Sequence, residues 1–256
     1  MKSDSLVIIP TYNEKENIRN IITAVLNITE HQFDVLIVDD NSPDGTAAIV
    51  DEMIAVQPER INILKRPGKQ GLGTAYIAGF KWALDHGYEY IIEMDADFSH
   101  PVNKLPELQA TCANGGADVS VGSRYISGVN VVNWPMGRML MSYYASAYVR
   151  LITGMKVRDA TAGFVCYRRE VLQSINLDGI EFKGYAFQIE MKFTAHCMGY
   201  RIKEVPIVFI NRVLGTSKMN SSIFFEALWG VIKLRWDSIF NKKRFTRMPL
   251  PKQITA

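Results

Sequence analysis

An α/β fold built on a mostly parallel sheet is predicted by three features of this 256-residue sequence. Short apolar runs recur along the chain, helical spacing fills the intervals between them, and the loops that follow the runs are unusually polar. Strand alternating with helix gives a parallel sheet covered on both faces, and its strands then read as continuous apolar runs.

The runs are LVII (6–9), VLIV (35–38), INIL (61–64), YIIEM (90–94) and VSVG (119–122). Each is short enough and apolar enough for a strand buried on both faces. After the first, Ile18, Ile21, Ile22, Val25 and Leu26 follow the i, i+3, i+4, i+7, i+8 spacing of an amphipathic helix. GLGTAYIAG (71–79) opens the helix after the third run. Its glycines suit close packing of helix on sheet, with a phosphate cradle as the alternative.

Ligands of such sheets bind in the crevice beyond the carboxyl ends of the strands. Here those ends continue into PTYNE, DDNSPDGT and DADFSHP, so three acidic loops converge on one rim. The first lacks the GxGxxG of a dinucleotide fold, and no GxxxxGK[ST] phosphate loop occurs. Two aspartates separated by one alanine, Asp95 and Asp97, end the fourth run. Carboxylates at adjacent strand tips raise each other's pKa unless a cation sits among them, and hard oxygen ligands suit Mg²⁺ or Mn²⁺. A turn or a helix cap is the ordinary use of such residues; a metal-held diphosphate is the functional one.

Composition narrows the classes. At 48% hydrophobic the chain can bury a full core. Lys and Arg number 29 against 26 Asp and Glu, too even a balance for general nucleic-acid binding. Lys242, Lys243, Arg244, Arg247 and Lys252 follow the last acid, Asp237, and make a cationic tail suited to an anionic surface. Cys112, Cys166 and Cys197 show neither disulfide nor zinc spacing. The opening MKSDSLVIIPTYNE is too short in apolar residues for a signal peptide, so a cytoplasmic location is expected.

The uncharged stretch 139–149 is too short to cross a bilayer, which takes ~20 residues. In 222–240, Glu226, Gly230, Lys233 and Asp237 fall on one narrow stripe, leaving Ile223, Phe225, Leu228, Trp229, Ile232, Trp236 and Phe240 around an apolar arc. Such a helix lies in a membrane interface, or packs on the globular body. The Met- and Tyr-rich stretch 136–152 carries the same pair of readings, with core or dimer packing as its packed form.

VIIPTYNEKENI, VDDNSPDGT, GLGTAYIAGF, MDADFSHP, GSRY, GYAFQIEM and VPIVFINRVLGTSK together resemble the dolichol-phosphate mannose synthase group of inverting glycosyltransferases with the GT-A fold. The resemblance implies a Rossmann-like nucleotide-diphospho-sugar transferase domain over 1–218 and an interface helix with basic tail over 219–256. Pro10, Tyr12 and Glu14 would line the nucleotide, with Val38 and Asp40 beside base and ribose. Asp95, Ala96 and Asp97 match the DxD whose acids hold Mg²⁺ or Mn²⁺ on the donor diphosphate. Arg124, Arg212 and Lys218 match basic residues that contact the phosphates and mannose of GDP-mannose. Asp159, beside Thr161, sits where related transferases carry an acid near the acceptor, with a cap or turn as its ordinary alternative. The acceptor would be a polyprenyl phosphate, the product a β-mannosyl lipid, and the enzyme peripheral on the cytoplasmic face of a membrane, as a homo-oligomer or with an anchoring subunit. Phe98 and Ser99 in the DxD loop depart from the family pattern, as does Val165, which stands where an arginine is often found and bears on the acceptor side.

Chemistry agrees with those roles. A departing diphosphate needs charge neutralisation rather than an acid, and a phosphate monoester is already largely anionic at neutral pH. His31, His86, His100 and His196 accordingly form no base constellation and read as surface or packing residues, His100 least securely because it follows the DxD. Residue types do not define the donor's base or one hydroxyl's orientation. UDP-glucose or another UDP-sugar is therefore the alternative donor, and a non-catalytic nucleotide-sugar or lipid-binding module the second alternative.

Overall fold

A computed structural model describes residues 3–184, 186–211 and 221–249, the side chains of 221–227 excepted. Along the chain it places β1 (Ser5–Thr11), α1 (Ile18–Leu26), β2 (Asp34–Asp39), α2 (Thr46–Val56), β3 (Ile61–Lys65), α3 (Leu72–Asp85) and β4 (Tyr90–Glu93). Then come α4 (Leu105–Ala113), β5 (Val119–Ser123), β6 (Val131–Val132), α5 (Met136–Thr153), β7 (Val165–Arg168) and α6 (Arg169–Ser174). α7 (Ala186–Cys197), β8 (Ile202–Pro206), β9 (Phe209–Ile210) and α8 (Ser221–Phe240) follow. All five apolar runs are strands of one seven-stranded sheet, ordered β3-β2-β1-β4-β7-β5-β8.

The sheet is parallel except for β7, which pairs antiparallel with both β4 and β5. Each strand alternates two buried faces, as a period of two requires. Leu6, Ile8, Leu36 and Val38 pack against Ala75, Tyr76, Phe80 and Ala83 of α3 and against Phe187 and Met191 of α7. Val7, Ile9, Val35 and Ile37 pack against Ile18, Ile21, Ile22 and Val25 of α1, Val50 of α2 and Leu105 and Leu108 of α4. The glycines of 71–79 serve this packing: a Cβ on Gly79 would stand 2.7 Å from Ile8 Cγ2, and one on Gly73 would stand 2.8 Å from the Phe187 ring.

β1 turns away from β4 early. Their ladder runs from Ser5↔Tyr90 to Ile8↔Glu93, while β1 stays paired with β2 as far as Thr11↔Asp39. Pro10, which has no N–H to donate, therefore lies beyond the β4 ladder, where the strand order switches direction and a crevice opens.

A third apolar cluster joins Val149 of α5, Ile189 and Phe193 of α7, Val231 and Leu234 of α8, and Phe245. α8 is thereby seated on the body, and Tyr148 Oη donates to the carbonyl of Leu228 at 3.0 Å. Of its polar stripe, Gly230 and Asp237 turn toward the body while Lys233 stays exposed. Gly230 is buried against Phe182, Lys233 pairs with Glu181, and Asp237 accepts from Arg244 at 2.7 Å. Trp229, Trp236 and Phe240 point outward at 73%, 62% and 67% exposure. The inward face is set by Val231 and Leu234 of the third apolar cluster, and Arg244, which also pairs with the buried Glu190 of α7, closes its edge. Arg247 is exposed but stacks 4.0 Å from the Tyr200 ring and donates to the Met198 carbonyl. Of the cationic tail within the described residues, Lys242, Lys243 and Arg247 are exposed and Arg244 is partly buried.

Candidate active site

The rim is built first from loops after β1 and β2. Thr11 Oγ1 donates to Asp39 Oδ1 at 2.9 Å, and Ser42 donates to both Asp39 oxygens. Asn13 N–H donates to Ser42 Oγ, Glu14 N–H to Thr46 Oγ1 and Lys15 N–H to Asp44 Oδ2. Asp39 and Asp44 thus staple the two loops together; Asp44 is pushed up by burial, but hydrogen bonds from Thr46 and Lys15 outweigh this and lower its pKa. Asn13 and Asn41 take left-handed turns, φ 58° each, which asparagine tolerates.

Pro10, Tyr12 and Glu14 are half-buried on this rim, and Lys69 Nζ lies 5.1 Å above the Tyr12 ring. Asp40 is buried beside Arg66, whose Nε is 2.6 Å from Oδ1, an ion pair by distance without hydrogen-bond alignment. Val38 does not reach the rim. Its side chain is fully buried in the core beneath α3, because β2 alternates and position 38 falls on the α3 face.

Beyond β4, Asp95 is 40% exposed at its side chain, Ala96 is buried and Asp97 is 9% exposed. Asp97 Oδ1 accepts the Ser99 N–H at 3.0 Å, which holds Phe98 at φ 60°. His100, buried, accepts the Asp95 N–H on Nδ1 at 3.0 Å, so its ring proton sits on Nε2, 3.9 Å from Asp95 Oδ2. Burial lowers its pKa and keeps it neutral. Its ring stacks on Phe164 at 5.0 Å and meets Phe209 edge-on at 5.7 Å. His100 is therefore the packing residue that fastens the DxD loop to the next element.

That element is a guanidinium shelf. Arg124, at the end of β5, donates Nε to Asp159 Oδ2 at 2.7 Å and Nη2 to Asp159 Oδ1 at 2.6 Å, and also reaches Thr161 Oγ1 at 2.9 Å. Its charge lies over the rings of Tyr125, Trp134 and Phe209 at 5.2, 5.4 and 5.6 Å. Asp159 is fully buried, and burial raises its pKa, yet the charge and hydrogen bonds of Arg124 win and lower it. The carboxylate that the resemblance put near the acceptor is engaged by Arg124 through both oxygens.

Arg212 and Lys218 lie outside the described residues. Among the described residues no three His, Cys, Asp or Glu side chains cluster to hold a metal. Asp95 and Asp97 nonetheless fit a hard divalent ion that takes one or two carboxylates plus substrate phosphate oxygens. Asp97 is fixed by Ser99 and Asp95 opens to solvent.

Residues 6–175 match Glycosyl transferase family 2. The chain belongs to that family. It is 45% identical over 232 residues to a protein of Mycolicibacterium smegmatis named polyprenol monophosphomannose synthase, covering 89% of this chain and 87% of that one. It is 44% identical over 239 residues to the undecaprenyl-phosphate mannosyltransferase of Micrococcus luteus, covering 91% and 96%. Among solved structures, glucosyl-3-phosphoglycerate synthase from Mycobacterium tuberculosis with Mn²⁺ and UDP-glucose matches at TM-score 0.65 and 17% identity, over 91% of this chain and 80% of that one. The mannosyltransferase PcManGT of Pyrobaculum calidifontis with GDP-Man and Mn²⁺ matches at 0.54 and 16%, over 95% and 76%.

In this family 2 chain three further cations near the site had no signal in the motifs. Arg66 and Lys69 sit on the rim, and Arg138 stacks 4.1 Å from the Trp134 ring while donating to Asn211 Oδ1 at 2.9 Å. Only folding brings them to the crevice. α7 adds a buried polar row: Gln188 Nε2 donates to Glu93 Oε2 at 2.7 Å, and Lys192 Nζ donates to the Ala162 carbonyl at 2.6 Å. Burial pushes Glu93 up to about 8 and pulls Lys192 down to about 8.

Proposed function

We propose that the protein transfers mannose from GDP-mannose to a polyprenyl phosphate with inversion, giving a polyprenyl-phosphate β-mannose and GDP. The observation that carries this reading is the meeting, at His100, of the DxD loop and the Arg124 shelf, in a chain 45% identical to a polyprenol monophosphomannose synthase.

The PTYNE loop and Asp40 line the nucleotide. Asp95 and Asp97 hold Mg²⁺ or Mn²⁺, which when bound neutralises charge on the departing diphosphate. Arg124, already aimed by Asp159 and surrounded by aromatic rings, adds a fixed positive charge that needs no reorganisation as the negative charge develops. Arg138 adds a second on the same shelf, and Arg212 and Lys218 carry the roles that the family motif gives them. Attack by the lipid phosphate from the face opposite the diphosphate inverts the anomeric carbon, as in other single displacements. Incubation with labelled GDP-mannose, polyprenyl phosphate and Mn²⁺ should move label into organic solvent, and a chelator should stop it. Label that stays in the organic phase at full yield with the chelator present would remove the metal role, and preferential use of labelled UDP-glucose would reassign the donor.

The lipid is met at a membrane surface, on its cytoplasmic face. No helix among the described residues is long and apolar enough to cross a membrane. α5 and α8 lie side by side and expose Tyr144, Leu151, Trp229, Trp236 and Phe240. Aromatic and aliphatic side chains of this kind seat in the headgroup boundary. On liposomes, Trp229→Ser/Trp236→Ser should float at least about threefold less than the parent, and equal flotation would rule this face out as the contact.

A further inference from the structure

Lys192 is fully buried on α7, a helix that also buries Phe187, Ile189, Met191 and Phe193, and it shares its face with Gln188 one turn before it. A core that needed only stability would be served as well by methionine, since replacing buried ions by apolar groups is often neutral or stabilising. The surroundings of the ammonium show what it does instead. It donates to the Ala162 carbonyl at 2.6 Å and to Gln188 Oε1 at 3.4 Å, and Gln188 passes the connection to Glu93 Oε2 at 2.7 Å. Glu93 is the last residue of β4, two residues before Asp95. Ala162 belongs to the irregular segment 159–164, and its carbonyl is satisfied by the Lys192 ammonium. The same segment supplies Asp159 and Thr161 to Arg124.

We propose that Lys192 is a positioning residue: it ties the segment 159–164 to the DxD strand through Ala162 and Gln188, and so sets where the Arg124 guanidinium stands relative to the DxD. The inference rests on the transferase reading above for its catalytic consequence, while the tie itself is a property of the fold. The charges of Glu93 and Asp159 face the ammonium and favour it, and the charge of Arg124 opposes it. Lys192 thereby links β4, through Gln188, to the segment that holds Arg124.

Lys192→Met and the pair Glu93→Gln/Lys192→Met, which removes both ionisable groups of this buried network, test this. Hydrogen exchange over 157–164 and 123–125 should quicken in both, with the rest of the sheet unchanged. Turnover should fall roughly 10- to 100-fold, with the KM for GDP-mannose moving less than about threefold, the scale expected when a group is misplaced by about 1 Å. In a double-mutant cycle with Arg124→Ala, Lys192→Met should add almost nothing, because its effect passes through Arg124. A merely stabilising lysine gives a different pattern: the melting temperature of the pair recovers and turnover recovers with it. Wild-type exchange over 157–164, or wild-type turnover in the pair, overturns the proposal. Full activity of Arg124→Ala would instead sink the role given to Arg124, while exchange over 157–164 still decides the tie.

Discussion

Asp97→Asn should abolish transfer and leave the fold intact. Asparagine keeps an oxygen where Asp97 Oδ1 accepts the Ser99 N–H, so the turn through Phe98 survives. What it removes is negative charge, and a divalent ion seated by only two carboxylates loses half of its protein-borne charge when one becomes an amide. A loss of about a thousandfold in turnover is expected, about 4 kcal/mol of transition-state stabilisation. Melting should shift by less than about 1 kcal/mol, within the ordinary range for a change that opens no cavity and strands no charge. Organic-phase label with Mn²⁺ present, measured beside a circular-dichroism melt, checks both halves. Retained turnover would take Asp97 out of the metal site, and a collapsed melt would make it a structural residue.

Asp159→Ala should be the most destabilising single change at the site. It removes the carboxylate that engages the Arg124 guanidinium, 9% exposed at its side chain, through both of its oxygens. Breaking a buried pair from one side costs about 3–5 kcal/mol, because the remaining charge is stranded. Activity should fall with it, since Arg124 loses the two bonds that aim it. Chemical denaturation gives the first quantity and the transfer assay below the melting transition the second. The matched pair Arg124→Met/Asp159→Leu should recover most of the stability and none of the activity. If Asp159→Ala costs under about 1 kcal/mol, the pair is not the anchor of the shelf.

The same carboxylate sets an acid limb. Its folded-state pKa is lowered from 3.8 by Arg124 against the opposing push of burial. A depressed carboxylate contributes stability above its unfolded pKa and loses that contribution as pH falls below 3.8 toward the folded value. The wild type should therefore lose stability in that window, and Asp159→Asn should lack this component of the slope.

Much of this was legible in residue order. Five apolar runs became five strands, the helical spacing from Ile18 to Leu26 became α1, and the polar loops fell on one rim because parallel strands all end on the same side. Asp95 and Asp97 were readable because their meaning depends on adjacency to a strand end. β7 was not: four residues between a loop and a short helix carry no periodicity, and their place between β4 and β5 comes from pairing Ile92 with Cys166 across the chain. Val38 was assigned to the nucleotide, yet alternation along β2 turns it into the core. The apolar arc of α8 was visible, whereas which side of the helix is buried depended on where Val231 and Leu234 meet α5 and α7.

By itself, then, the order of residues determined the class of sheet, the edge that carries the chemistry and the acids at its centre. Those are local matters of period, strand ends and charge. Tertiary structure alone decided that Arg124 is held by Asp159, that His100 packs the DxD loop against Phe164 and Phe209, and that Lys192 reaches across to Ala162. Each of those contacts joins residues about thirty or more positions apart, and burial makes them matter: a guanidinium or an ammonium withdrawn from water is stable only beside the partner that folding supplies.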